Sequence, residues 1–380
     1  MATTHAPDTR WTEATCRLED LLDVLAERTD PHAFPLATEV VAEVLVYDAT
    51  RLLGAPADEA AAELVRAFAD GPGVVVVRGA HPDPAVVDRA TAAFEEMIAE
   101  QRASGAVAGD HFAKPGANDR VWNALEKLAV RAPGVFVDYY ADPVLALVST
   151  AWLGQGYQVT SQVNVVNPGG AAQVGHRDYH LGFLPPARIE QFPQHVHVLS
   201  PVLTLQGAVA HTDMPVESGP TMYLPHSQKY GPGYLATGRP EFAEHFERHH
   251  VQLPLRKGDA AFFNPAVIHG AGANRSADVR RMANLLQISS AFGRAMESVD
   301  RDRICRAVYP ALRAHPAPEH AVAAAAEGYP FPTNLDRDPP VDGLAPPSQA
   351  DLVRRALAED WSPETFGAAL TEHANRRRTA

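Results

Sequence analysis

The sequence predicts an α+β fold in which helices flank a central jelly-roll or cupin-like barrel of strands, with helical extensions at both ends. Three observations carry this. The N-terminal third shows helical periodicity, a period-two strand with a polar face begins near Gly156, and short strand-like runs follow between Gly and Pro turns. Residues 11–27 put Leu18, Leu21, Leu22, Val24 and Leu25 on roughly one helical face, and Asp30-Pro31 ends the run. Residues 57–69 and 85–104 read as further helices. Between them Gly71-Pro72-Gly73 introduces Val74–Arg78, a β-branched run expected as a buried strand. Residues 121–130 read as one more helix.

From Gly156 the texture changes. Gln158, Thr160, Gln162 and Asn164 alternate with Val159, Ser161, Val163 and Val165, so an extended chain sorts them onto opposite faces. A polar face inside a barrel points to a site. Strand-like runs recur at 196–199, 202–210, 221–224, 260–263 and 284–289, with turns at Asn167-Pro168-Gly169-Gly170, Ser218-Gly219-Pro220 and Lys257-Gly258-Asp259. Past Ala291 the chain reads as helical again, with a Pro-rich break over 338–347 and a last amphipathic helix over 351–357 that resumes after Ser362-Pro363. The expected organisation is a helical extension over 1–46, a barrel domain over 47–290 and a second helical extension over 291–380.

Composition narrows the function. Of 380 residues, 46% are hydrophobic and 21% charged, which suits a globular chain with a sizeable core. A formal net charge of −13 argues against non-specific binding to nucleic acid or anionic membrane. Only Cys16 and Cys305 are present, which fits a reducing compartment and leaves no Cys-rich zinc site. The polar opening residues lack the apolar core of a secretory leader, and no apolar run approaches the ~20 residues of a membrane span. A cytoplasmic location is expected. The glycine fingerprints of dinucleotide and phosphate binding, the Gly-x-Ser-x-Gly elbow and His-Glu-x-x-His are all absent.

The chemistry concentrates around His176-Arg177-Asp178. On an extended segment residues i and i+2 project to one side, so an imidazole and a carboxylate point together. A second histidine from a distant strand would complete the two-His, one-carboxylate set of non-haem Fe(II) oxygenases. His269, 93 residues downstream and flanked by small residues, is the candidate. Arg280 follows 11 residues later and is the candidate to grip a carboxylate, with Arg275 and Arg281 as close neighbours that could serve instead. His211-Thr212-Asp213 repeats the same form 58 residues before His269 and is a rival ligand pair.

Gly175-His176-Arg177-Asp178-Tyr179-His180, then Glu217 to Lys229 with Ser218-Gly219-Pro220, then Gly258-Asp259, His269-Gly270-Ala271-Gly272 and Arg280 form an ordered set. Together they resemble the phytanoyl-CoA dioxygenase family, Fe(II)- and 2-oxoglutarate-dependent oxygenases on a double-stranded β-helix. The likeness spans roughly residues 47–290. It implies iron held by His176, Asp178 and His269, and the distal carboxylate of 2-oxoglutarate held by Arg280. It places further 2-oxoglutarate contacts at Gln162 or Asn164 and at Gln206, where members often carry an aromatic residue. Ala271 replaces a common hydroxyl residue, which removes one contact to the cosubstrate. The implied reaction consumes O2 and 2-oxoglutarate, releases succinate and CO2, and hydroxylates or otherwise oxidises an unactivated C–H of a small-molecule metabolite. With Asp178 in place, hydroxylation is favoured over halogenation. His180, Tyr179 and Phe183 are candidates for the substrate pocket, with His195 and His197 as alternatives and packing as the other reading of Tyr179 and Phe183. Residues 181–194 and 231–240 are expected to cover the substrate. The rival readings are a non-oxidative cupin-like metal protein, a small-ligand binding module, and a zinc hydrolase on the same ligands.

Overall fold

The computed structural model describes residues 9–104 and 117–379. The reading of the opening residues as leaderless falls mostly on 1–8, outside the described residues. Among the described residues ten strands run in chain order: β1 (Glu39–Val41), β2 (Val44–Asp48), β3 (Val74–Arg78), β4 (Asn118–Val121), β5 (Gln158–Val166), β6 (Thr204–Ala210), β7 (Met222–Leu224), β8 (Ala260–Phe263), β9 (Ile268–Gly270) and β10 (Arg281–Ser289). Eight form one mixed sheet in the order β1-β2-β3-β8-β6-β10-β5-β4, antiparallel except for β2 beside β3. The other two, β7 and β9, pair antiparallel, and isolated bridges at His176–His269 and Tyr223–Val251 extend this smaller sheet on both sides.

Strand alternation decides what each face of the large sheet meets. Leu45, Val75, Val163 and Ile288 pack against helices in the main core, while Val46, Val76, Ala261 and Phe263 turn toward Tyr223 of the smaller sheet. Outside the smaller sheet lies a third cluster, where Leu21 of the helix Leu18–Leu25 joins Leu224, Ile268, Phe242 and Phe246. Helices thus lie outside each sheet, and the space between the sheets holds the site. Several helices open on an acid or hydroxyl cap with proline at the first position. Asp83 accepts from Ala85 N before Pro84, Asp142 from Leu145 N before Pro143, and Ser362 from Thr365 N before Pro363. No helix among the described residues is long and apolar enough to cross a membrane.

Two expectations are corrected. Residues 196–199 lie in the helix Gln194–Val202, whose buried face is His197, Ser200 and Pro201, while Val198, Leu199 and Val202 are exposed. The apolar residues that suggested a strand are on the wrong side of this helix. The single helix expected over 121–130 is instead β4 and the helix Ala124–Arg131, separated by Asn123 in the left-handed region at φ 48°. Asparagine tolerates that conformation, and it turns the chain sharply.

Candidate metal centre

Backbone pairing assembles the centre. After β5 the chain turns through Asn167-Pro168-Gly169-Gly170, with Gly169 at φ 84°, and returns so that His176 pairs with His269 of β9. Their reciprocal N–H to C=O bonds are 2.9 and 3.0 Å. Two histidines 93 residues apart become ladder neighbours, and period-two geometry brings Asp178 to the same side. Arg177 points the opposite way. It is buried beneath the ring of Tyr234 and donates to the carbonyls of Ser227 and Tyr230, which anchors the turn from behind.

One candidate ligand atom from each of His176, Asp178 and His269 lies within 4.8 Å of the others. His176 Nδ1 bonds the Val174 carbonyl at 2.8 Å and His269 Nδ1 the Val267 carbonyl at 2.9 Å. A carbonyl only accepts, so Nδ1 carries the proton in each ring and Nε2 presents its lone pair. Those Nε2 atoms face Asp178 at 3.6 Å from Oδ1 and 3.4 Å from Oδ2. Burial, then the neighbouring His269, pushes His176 toward its neutral, ligating form. Burial alone would push Asp178 up. Its neighbours His269 and His176 and the Gln206 amide more than offset that and hold the carboxyl well below its usual range.

A cavity of about 200 Å³ between the two sheets contains this triad. That is below the roughly 300–1,000 Å³ of drug-sized pockets. Gln162, Asn164 and Gln206 line it, as the polar face of β5 suggested. Gln162 Oε1 accepts from Arg120 at 2.9 Å, and Gln206 Nε2 donates to Asp178 Oδ2 at 2.6 Å. Asn164 Oδ1 is buried with no hydrogen-bond donor among the described residues.

Arg280 is not in the cavity. Its side chain is 43% exposed and pairs with Glu95 on the outer side of the sheet. The next residue, Arg281, points inward and lines the cavity, because adjacent residues of a strand face opposite sides. Arg281 is buried, donates to the carbonyls of Ser218 and Gly272, and pairs with no acid among the described residues. Burial pushes its guanidinium down to about 10. Arg275 is exposed.

Of the substrate-pocket candidates only Phe183 lines the cavity. Tyr179 is buried with its hydroxyl on Gln287 Oε1, and His180 Nδ1 meets Ser200 Oγ at 3.2 Å. His195 is exposed, and His197 is buried edge-on against Trp11. The rival pair separates from His269 entirely. His211 is buried between Thr91 and Tyr139, while Asp213 accepts from the Lys257 backbone. Sequence reasoning missed Arg120 and Trp122, both on the cavity wall, with the guanidinium 4.8 Å from the indole centre. Arg120 lies on β4 just before the helix expected over 121–130 and Trp122 lies within it, and helical periodicity carries no sign of a strand's facing.

A family model described as phytanoyl-CoA dioxygenase (PhyH) matches residues 69–282, more than half of the chain. No curated protein matches. Among solved structures, the chain is similar to the non-heme alpha ketoglutarate dependent epimerase SnoN from nogalamycin biosynthesis, at 22% identity over 62% of this chain and 84% of that one, with a TM-score of 0.40. It is likewise similar to the carbocyclase SnoK from nogalamycin biosynthesis, at 22% identity over 62% and 87%, with a TM-score of 0.43. By the extent of the family match, the chain belongs to the phytanoyl-CoA dioxygenase family.

Proposed function

We propose that this protein is an Fe(II)- and 2-oxoglutarate-dependent dioxygenase that hydroxylates an unactivated C–H of a small-molecule metabolite. Family membership brings Fe(II) as cofactor and 2-oxoglutarate and O2 as cosubstrates, and the residues present fit them. Two imidazoles with free Nε2 lone pairs and one carboxylate suit Fe(II). In this reading the large sheet and the smaller one are the two halves of a double-stranded β-helix, with the site between them.

His176, Asp178 and His269 would hold the metal. Arg281, rather than Arg280, would fork onto the distal carboxylate of 2-oxoglutarate, which would supply a counter-charge that no described residue gives its buried guanidinium. Apolar walls from Phe263, Leu285 and Leu253 exclude water and strengthen that attraction. When bound, iron supplies the activation of O2, in which 2-oxoglutarate is decarboxylated to succinate and CO2 and one oxygen atom passes to the substrate. With iron bound, the Asp178 carboxylate would take the position that a halide would need, which favours hydroxylation over halogenation.

The observation that carries this reading is the coincidence, in one cavity, of the three ligand atoms and a buried arginine with no acidic partner among the described residues. The test is an anaerobic visible spectrum of the protein with Fe(II) and 2-oxoglutarate. A weak charge-transfer band that disappears in Asp178→Ala is expected, and candidate substrates can then be screened by succinate release. A folded protein that binds Fe(II) and 2-oxoglutarate without such a band would sink the oxygenase reading in favour of a non-oxidative metal protein.

A further inference from the structure

One row of the large sheet lies against the metal segment. Phe263 on β8, Gln206 on β6 and Gln287 on β10 are cross-strand neighbours. The Phe263 ring packs on His269 with centroids 4.6 Å apart, and Gln287 Oε1 accepts from the Tyr179 hydroxyl. Between them, Gln206 Nε2 donates to Asp178 Oδ2 at 2.6 Å. A carboxylate only accepts, so the amide nitrogen must face it, and the Gln206 Oε1 that remains is buried without a donor among the described residues.

An aspartate can give a metal one oxygen or both. Both oxygens face the histidines, Oδ2 at 3.4 Å from His269 Nε2 and Oδ1 at 3.6 Å from His176 Nε2, but Gln206 engages a lone pair of Oδ2 while Oδ1 accepts no hydrogen bond among the described residues. The turn that carries Asp178 also needs holding, because Tyr179 and His180 take positive φ values of 68° and 44°. We propose that Gln206 is a positioning residue that limits Asp178 to a single ligating oxygen and so leaves room at the metal for the keto acid and O2. The inference rests on the metal reading above.

Anaerobic titration with Co(II) tests it without turnover, since Co(II) absorbs more weakly as its coordination number rises. Gln206→Met keeps the length of the side chain and removes the donor. Gln206→Asn keeps a buried amide but withdraws it by one methylene, which guards against a folding failure in the first variant. Both are expected to bind Co(II) about 10- to 100-fold more weakly. Their absorption per bound ion should fall, while the circular dichroism and melting temperature of the metal-free proteins stay unchanged. Weaker binding with an unaltered spectrum overturns the inference, because Gln206 would then only shape the pocket. Equal binding and equal spectra in wild type and variants overturn it too, while leaving the metal reading intact. A wild type that binds no Co(II) removes the metal reading and this inference with it.

Discussion

Arg280 and Arg281 are adjacent in sequence and opposite in environment. The first holds Glu95 with both side chains more than a third exposed, and such pairs contribute about 0–1 kcal/mol. The second is buried in the cavity, and its partners among the described residues are carbonyls. A charge-assisted bond to a carboxylate there contributes about 1.5–3 kcal/mol. Arg281→Met is therefore expected to weaken 2-oxoglutarate roughly 10- to 100-fold, and Arg280→Met to leave it within a factor of about three. Anaerobic titration of the charge-transfer band measures both. The reverse pattern would return the carboxylate to Arg280. Spacing from His269 led to Arg280, one residue from the arginine that lines the cavity, and on a strand a single step reverses the facing. The grouping of His176, Asp178 and His269 was legible because a two-residue step on extended chain leaves little freedom. His180 and Tyr179 were misplaced because the chain leaves extended geometry directly after Asp178.

At the scale of elements, the end of β6 is tied to the helices beneath the sheet through His211. Thr91 spends its hydroxyl proton on the Val87 carbonyl, so it accepts from His211 Nδ1 at 2.8 Å. His211 Nε2 is then the acceptor for the Tyr139 hydroxyl at 2.9 Å. Burial first, and then the nearby His81, push this ring down to about 3 from an ordinary 6.5. The native state binds the neutral form, so the unfolded chain takes up a proton that the native state refuses. Stability from this group is complete above about pH 6.5 and is lost as the pH falls toward 3, at up to ~1.4 kcal/mol per pH unit. His211→Gln keeps a donor and an acceptor but does not titrate. Its stability deficit relative to wild type, read from urea midpoints, should narrow between pH 7 and pH 4.5. An unchanged deficit would mean that His211 does not titrate in this way. This role was hidden in the sequence, where His211-Thr212-Asp213 resembled a ligand pair. The helices Pro133–Tyr140 and Pro143–Leu153 were also unread, because residues such as Val144, Leu145, Leu147 and Val148 are apolar on every side and show no stripe.

Across the whole molecule, the alternation of helix and strand patterns made the α+β class legible, while the pairing of distant strands was not, since register is set by tertiary contacts. The C-terminal helices Arg301–Ala314, Gln349–Ala358 and Pro363–Arg377 continue the helical layer outward from the large sheet, away from the cavity. Tyr309 and Phe366 stack there with ring centroids 4.0 Å apart, both buried in the same cluster that reaches Val163 and Ile288 of the sheet. If that layer serves stability alone, its energetics should separate from those of the metal centre, because distant sites with no shared partners act additively. Phe366→Ala removes a fully buried ring and is expected to cost about 3–5 kcal/mol. Urea unfolding should show the midpoint falling at constant slope, while Co(II) and 2-oxoglutarate affinities stay within a factor of about two in the folded protein. A loss of either affinity at native conditions would show that the outer helices set the spacing of the two sheets, and hence the distance between Arg281 and the metal ligands.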